Sequence, residues 1–183
     1  ERTRENLGRV TGFPEYTKAG EWKYTRADGG WVGGHWTGLL WLAFAHTRDA
    51  KFEQAAREWT AKLIPRRFDT STHDLGFLFE LSHLLGAELT GDASLNAPAL
   101  NAARSLIQRF NAKGKFIRAW GALDAPENRG RAIIDTMMNL DLLFWASRTS
   151  GESQFAEIAN AHARTALKHN TRADWSTSHT MDF

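Results

Sequence analysis

The chain has 183 residues, of which 42% are hydrophobic and 24% are charged, and its formal net charge is +2. This length suffices for one domain or part of a larger one, and the composition excludes an intrinsically disordered protein. Cysteine is absent, which excludes disulfide frameworks and thiolate metal sites but leaves both a bacterial cytoplasmic and a periplasmic location open. Its apolar runs are shorter than the roughly 20 residues of a membrane span, so we expect no membrane association.

Helical periodicity occurs in three consecutive pairs of segments. The first pair is HWTGLLWLAFAHT followed by DAKFEQAAREWTAKLI, which ends at Pro65 because proline cannot continue a helix. The second pair is THDLGFLFELSHLLGAEL and APALNAARSLIQRF, and the third is DTMMNLDLLFWASR and SQFAEIANAHARTALKHN. The related polar turns TRDAKF, TGDASL and TSGESQF join the helices of each pair, so the sequence predicts an internal repeat of one helical hairpin.

The two helices of each pair differ in character. The first is apolar nearly all round, which is typical of a buried helix, and the second is amphipathic and rich in alanine. Inner helices that line a centre and outer helices that wrap them are the plan of an α/α toroid. We therefore predict an all-α fold, an α/α toroid to which this chain contributes about three hairpins.

Polar clusters mark the beginning of each predicted inner helix, in GGWVGGHW, STHD and RAIID. Inner helices of a toroid run parallel, so these clusters should gather at one end, and the tail DWSTSHTMDF should return there after the last outer helix. This topology predicts a common mouth that contains Trp31, His35, Trp36, His73, Asp74, Trp120, Asp135 and His179.

Two aspartates give this mouth its candidate chemistry. Asp135 follows two isoleucines, and an ionised carboxylate on an apolar segment costs several kcal/mol unless it is paired or neutralised. If Asp74 faces it, the two carboxyl groups could share a proton and one could act as a general acid. The alternative for each residue is a helix N-cap, which aspartate also favours, and the pattern leaves both interpretations open.

Tryptophan and histidine supply the other candidates. Eight tryptophans beside two tyrosines favour a carbohydrate partner, although most could equally serve to fill a core. No HxxxH or HExxH spacing occurs, so we expect no zinc site, and ADGGWVGG lacks the lysine of a phosphate loop. Scattered arginines do not indicate a nucleic-acid groove. Four helical histidines could equally lie at the surface and receive no function: His46, His83, His162 and His169.

Six segments together resemble one enzyme family. GGWVGGHWTGLLWLAF, THDLGFLF, LNAARSLIQRF, IRAW, IIDTMMNLDLLFWAS and DWSTSHTMDF are similar, in the same order, to motifs of the unsaturated glucuronyl hydrolases, glycoside hydrolase family 88. The resemblance extends from about Phe13 to the end of the chain. It implies a six-hairpin α/α toroid that acts on unsaturated oligosaccharides left by polysaccharide lyases, without a metal or organic cofactor. Residues 1–183 would then form the N-terminal half of a single catalytic domain.

The resemblance also implies residue roles. Asp135 matches the family's general acid and base, and Asp74 matches its second essential carboxylate. The implied reaction is hydration of the C4=C5 bond of a terminal uronate, after which the hemiketal opens and expels the remaining sugar. The matching implies substrate contacts for His73, Trp120 and His179 and a stacking role for Trp31.

Two departures from the family pattern leave alternatives open. His35 and Thr37 stand where GFWPG has phenylalanine and proline, and the sequence ends before the Gln, Arg and Trp motif expected to bind the uronate carboxylate. Three hairpins would expose apolar inner-helix faces, so we expect a missing C-terminal half or a second chain to cover them. The alternatives are an unsaturated rhamnogalacturonyl hydrolase, a non-catalytic half-toroid that binds uronides, and a structural helical-repeat scaffold.

Overall fold

The computed structural model describes residues 1–183, and helices dominate it. The helices are α1 Arg2–Asn6, α2 Gly33–Thr47, α3 Ala50–Leu63, α4 Leu75–Phe79, α5 Leu85–Thr90, α6 Asn96–Ile107, α7 Leu140–Ser150 and α8 Ser153–Asn170. A π-helical turn covers Glu80–Leu84, and 3-10 turns cover Ile64–Phe68, Ala93–Leu95, Pro126–Asn128 and Ile134–Asn139. The strands are β1 Pro14–Lys18, β2 Glu21–Tyr24, β3 Phe110–Asn111, β4 Phe116–Ile117, β5 Arg131–Ile133 and β6 Thr180–Asp182. None of the helices combines the length and apolar character that crossing a membrane requires.

The turns within the three predicted hairpins share one local geometry. Each starts with a residue in the left-handed region whose amide donates to the carbonyl four residues earlier, and an acidic N-cap of the next helical segment follows. The left-handed residues are Arg48, Gly91 and Gly151, and the acidic residues are Asp49, Asp92 and Glu152. The predicted internal repeat is therefore confirmed in its turns.

Contacts divide the chain into two compact units. Unit 1 comprises Glu1–Arg67 and Phe77–Ala99, and unit 2 comprises Phe68–Gly76 and Leu100–Phe183. In unit 1 the antiparallel strands β1 and β2 precede α2 and α3, which pack against each other. Buried side chains of this helix pair include Leu40, Trp41, Ala56, Trp59 and Leu63.

One face of α2 is exposed, as we expect for an inner helix of only three hairpins. Although the sequence of this helix is apolar nearly all round, Leu39 and Leu42 are 45% and 56% exposed. These two residues are three positions apart and therefore lie on the same face of the helix. The apolar composition of α2 thus includes a face that the described chain does not cover.

Unit 2 is built around α7, α8 and two short ribbons. β3 pairs with β4, and β5 pairs with β6 so that Ala132 lies opposite Met181. The tail therefore returns to the segment that leads into Asp135, as the sequence predicts. The ribbons themselves were not predicted, because paired segments of two or three residues are too short to show an alternating pattern. Buried side chains of unit 2 include Leu106, Ile117, Leu142, Leu143, Phe155 and Ala159.

Two of the helical histidines lie in the interior, which corrects the expectation that they could equally lie at the surface. His83 is buried in the π-helical turn of unit 1, and His162 is buried on α8 of unit 2. Burial lowers the pKa of each imidazole to about 4, because water no longer solvates the charged form. Both histidines are therefore neutral in the folded protein near neutral pH.

We expect acid to destabilise the protein as the pH falls from 6.5 to about 4, partly through these histidines. In this pH window the two histidines bind protons in the unfolded chain but not in the folded protein. The free energy of unfolding therefore falls as the pH falls. His162→Gln should reduce the difference between the free energies of unfolding that urea denaturation gives near neutral pH and at about pH 5. His46→Gln is the matched control, because His46 is an exposed helical histidine. The same pH dependence in His162→Gln as in the wild type would contradict the assignment.

Candidate active site

Three of the predicted site residues meet in unit 2. His73 and Asp74 lie on the loop that leads into α4, and Asp135 is the second residue of the 3-10 turn that precedes α7. The buried His73 imidazole places Nε2 2.8 Å from Asp135 Oδ1 and 3.2 Å from Asp74 Oδ1. We call these three residues the His73 cluster. The predicted meeting of the two carboxylates is confirmed, and a histidine lies between them.

The cluster decides the open question about Asp135. Ile133 occupies the N-cap position of the 3-10 turn and makes no side-chain capping bond. The Asp135 carboxylate instead contacts His73, which supplies the polar partner that a carboxylate on an apolar segment needs. Asp135 is therefore a member of a partly buried polar cluster and not a helix cap.

The two carboxylates have different surroundings. The side chain of Asp74 is 14% exposed, and its Oδ2 accepts a 2.6 Å hydrogen bond from the hydroxyl of Thr72. The side chain of Asp135 is 33% exposed. Asp135 is thus the carboxyl group more accessible to a bound molecule, and Asp74 is the one held more firmly by the protein. The Thr72 hydroxyl was not predicted as part of the site, although a threonine two residues before an aspartate is a known local hydrogen-bonding pattern.

The imidazole of His73 has a defined orientation. Its Nε2 faces both carboxylates, and we assign the proton to this nitrogen because carboxylate oxygens are hydrogen-bond acceptors. The opposite nitrogen, Nδ1, is buried without a protein hydrogen-bond partner. A proton on Nε2 lets the imidazole bind one oxygen atom from each of the two carboxyl groups.

A close backbone approach sets the distance between the two acidic segments. A Cβ atom on Gly76 would lie 2.5 Å from the Cα of Asn139, closer than real side chains allow. Gly76 follows Asp74 by two residues, and the Asn139 amide donates to the Asp135 carbonyl oxygen at 3.3 Å. Only glycine therefore permits the loop and the 3-10 turn to approach this closely.

We expect Gly76→Ala to lower both stability and activity, because the added methyl must push the two acidic segments apart. Overpacking of this kind costs about 1 to 3 kcal/mol. Urea unfolding together with a substrate assay measures both effects. Gly8→Ala is the matched control, since a Cβ at Gly8 meets no atom within 4 Å. Wild-type stability and activity in Gly76→Ala would contradict this role for the contact.

Trp120 borders the cluster with an accessible ring face. The indole is 39% exposed, and its centroid lies 6.3 Å from that of the His73 imidazole. The guanidinium carbon of Arg131 lies 5.8 Å from the same indole, and this side chain makes a bidentate ion pair with Asp182 at 2.8 and 3.0 Å. An exposed indole beside two carboxylates is a surface on which a sugar ring can stack.

The other two predicted residues have different positions. The His179 carbonyl accepts a 2.9 Å hydrogen bond from the Ile134 amide, so its backbone adjoins Asp135, while its side chain is exposed. Trp31 belongs to unit 1, where its ring makes edge contacts with His35 and Phe77, each at 5.9 Å between centroids. A substrate contact for either residue stays a prediction.

The His73 cluster is also the group of residues that could hold a metal ion. One ligand atom from each of His73, Asp74 and Asp135 lies within 4.8 Å of the others. The expectation of a site without a metal stays a prediction.

Comparison with known proteins identifies relatives of the whole chain. No family model matches it. It is 37% identical over 175 residues to the unsaturated glucuronyl hydrolase of Bacillus sp. strain GL1, which covers 93% of this chain and 46% of that protein. It is also 36% identical over 156 residues to the unsaturated chondroitin disaccharide hydrolase of Streptococcus pneumoniae. That match covers 84% of this chain and 39% of that protein. The chain is a relative of the unsaturated glucuronyl hydrolases.

Solved structures confirm the fold. The crystal structure of the unsaturated glucuronyl hydrolase from Bacillus sp. GL1 superposes with a TM-score of 0.92 at 36% identity, over 99% of this chain and 49% of that one. The unsaturated glucuronyl hydrolase from Streptococcus agalactiae superposes with a TM-score of 0.90 at 30% identity, over 100% of this chain and 48% of that one. The predicted all-α class and the α/α-toroid fold are therefore confirmed. The chain spans about half the length of the unsaturated glucuronyl hydrolases that it matches.

Proposed function

We propose that the protein containing this chain removes the terminal Δ4,5-unsaturated uronate from lyase-generated oligosaccharides by hydrating the C4=C5 bond. The observation that carries the proposal is the His73 cluster, in which Nε2 lies 2.8 Å from Asp135 and 3.2 Å from Asp74 beside the exposed Trp120 indole. The relatives named as unsaturated glucuronyl and chondroitin disaccharide hydrolases support the same activity.

The cluster suits a hydration that begins at carbon. Asp135, the more accessible carboxyl group, transfers its proton to C4, and positive charge develops at C5 and on the ring oxygen. Asp74 and His73 lower the energy of this charge separation by holding fixed negative charge and a hydrogen-bond donor beside it. Water then adds to C5 and loses a proton to a carboxylate of the cluster. The resulting hemiketal opens, and C1 expels the remaining sugar as an alcohol.

Two observations support one substrate class: the relatives include an unsaturated chondroitin disaccharide hydrolase and an enzyme that degrades glycosaminoglycan, and the Trp120 indole is exposed. We infer an unsaturated glucuronyl oligosaccharide of glycosaminoglycan type, with one ring stacked on Trp120. A solved structure that is 35% identical to this chain is a complex with dGlcA-Glc-Rha-Glc, which supports an unsaturated oligosaccharide as the partner. We propose no nucleic-acid or membrane partner.

The active unit is proposed to include more protein than this chain. Leu39 and Leu42 in unit 1 are exposed, and in unit 2 Met137 and Met138 are exposed next to Asp135. Exposed apolar side chains on inner helices favour a covering partner, either the remaining half of one longer chain or a second chain. A non-catalytic half-toroid that binds uronides is the second candidate, because the exposed Trp120 indole could bind a sugar ring without turnover.

An absorbance assay tests the activity. The complete protein that contains this chain is incubated with an unsaturated chondroitin disaccharide, and the near-ultraviolet absorbance of the C4=C5 bond is followed. We expect the absorbance to fall, with no cleavage of a saturated glucuronide used as control. Binding of the disaccharide without loss of absorbance would favour the uronide-binding alternative. Turnover confined to an unsaturated rhamnogalacturonide would favour that hydrolase instead.

A further inference from the structure

Arg109 is a buried cation that bonds to backbone carbonyl groups. It follows α6 in unit 2, and its side chain is almost completely buried. Burial, reinforced by the charge of Arg118, lowers the pKa of Arg109 to about 10, so the guanidinium stays charged at neutral pH. Burying a charge is unfavourable, and an apolar side chain could fill the same space. The hydrogen bonds that the guanidinium makes therefore indicate a role beyond filling space.

These hydrogen bonds reach two separate segments of unit 2. Nε donates to the carbonyl of Arg118 at 2.9 Å, Nη2 donates to that of Ala119, and Nη1 donates to that of Gly121 at 2.9 Å. Nη1 also donates to the carbonyl of Thr70. One side chain thus joins the loop near residue 70 to the segment 118–121.

Both segments carry residues of the candidate site. Thr70 precedes His73 by three residues, and Trp120 lies between Ala119 and Gly121. A backbone hydrogen bond from the Gly121 amide to the Ser71 carbonyl, at 2.9 Å, joins the same two segments. The Arg109 contacts therefore lie at the base of the two loops whose tips bring the Trp120 indole within 6.3 Å of His73.

We propose that Arg109 is a positioning residue, which sets the place of the Trp120 stacking surface relative to the His73 cluster. The planar guanidinium offers donors in a fixed fork and so bonds both segments at once. A lysine ammonium at the same place keeps the charge but concentrates its donors on one nitrogen and cannot span them in this way. The effect of this bridge on turnover rests on the proposed function, whereas its effect on Trp120 does not.

A double-mutant cycle in the complete protein tests the proposal. We expect Arg109→Lys to lower kcat/KM by about 10²-fold, as small misplacements at a site do. Trp120→Ala should cost about tenfold in the wild type and much less in the Arg109→Lys background, because the stacking surface is already displaced. The proposal would be overturned if the double variant lost kcat/KM by the product of the two single losses. A wild-type kcat/KM in Arg109→Lys would also overturn it.

Arg118→Lys is the matched control for loss of an arginine in this region. Its guanidinium donates to the carbonyls of Leu123 and Arg109 and does not bond the loop near Thr70. We expect kcat/KM within about threefold of wild type. A loss as large as that of Arg109→Lys would mean that the effect is general destabilisation and would overturn the positioning role.

The indole N–H resonance of Trp120 gives a readout that does not depend on turnover. We identify it by its absence in Trp120→Phe and expect it to shift in Arg109→Lys but not in Arg118→Lys. If Arg109→Lys does not fold, Arg109→Met takes its place, because an uncharged side chain of similar length fills the same space without the guanidinium donors. An unshifted resonance would overturn the proposal. A shifted resonance in a protein without turnover would support it and reject only the proposed function.

Discussion

Asp135→Asn is expected to lower kcat by about 10³-fold, the scale of a lost general acid. An amide cannot transfer a proton to C4, whereas its oxygen can still accept the 2.8 Å hydrogen bond from His73 Nε2. The substitution should therefore remove the reaction and preserve the fold. The measurement is the initial rate of absorbance loss on an unsaturated disaccharide, accompanied by thermal unfolding.

Asp141→Asn is the matched control for Asp135→Asn. Asp141 is an exposed carboxylate in the first turn of α7, six residues further along the chain, and we expect its substitution to leave kcat within about twofold of wild type. Calorimetric titration of the disaccharide into Asp135→Asn should show that binding survives, so that the lost kcat reflects the chemical step and not lost binding. An Asp135→Asn variant that keeps more than about a tenth of wild-type kcat would contradict the role of Asp135.

Asp74→Asn is expected to lower kcat/KM by about 10²-fold. The amide has no fixed negative charge to set against the positive charge that develops at C5, and its NH₂ group competes with His73 as a donor. Thr72→Val should reproduce a smaller part of the loss, about tenfold, because it removes the 2.6 Å hydrogen bond that orients the carboxylate and leaves its charge in place. The comparison of kcat/KM in these two variants separates the charge of Asp74 from its orientation. Equal losses in both, or none in Asp74→Asn, would contradict this division.

Much of the site could be predicted because topology alone gathers it. Parallel inner helices begin at the same end, so the acidic starts of the second and third hairpins had to meet, and Asp74 and Asp135 share one histidine. The return of the tail followed from the direction of α8. The burial of His162 had a signal too, since Phe155, Ala159 and Ala166 share its face of the helix.

The remaining features depend on contacts between distant segments, which a local pattern does not encode. The sequence around Gly76 does not indicate that Asn139 packs against it. The sequence around Arg109 is typical of a basic helix end and does not indicate a buried side chain. The exposed face of α2 could not be separated from its buried face, because both are apolar and periodicity detects only a contrast between faces.

The incorporation of solvent deuterium at C4 tests the central claim most directly. The complete protein is allowed to react with an unsaturated chondroitin disaccharide in D₂O, and the product is examined by NMR at early times, before the new ketone exchanges its neighbouring hydrogens. Hydration initiated by Asp135 predicts one deuterium on C4, with loss of the C4=C5 signal in step with sugar release. Release of a sugar whose partner keeps the C4=C5 bond and carries no deuterium would contradict hydration and indicate direct cleavage of the glycosidic bond.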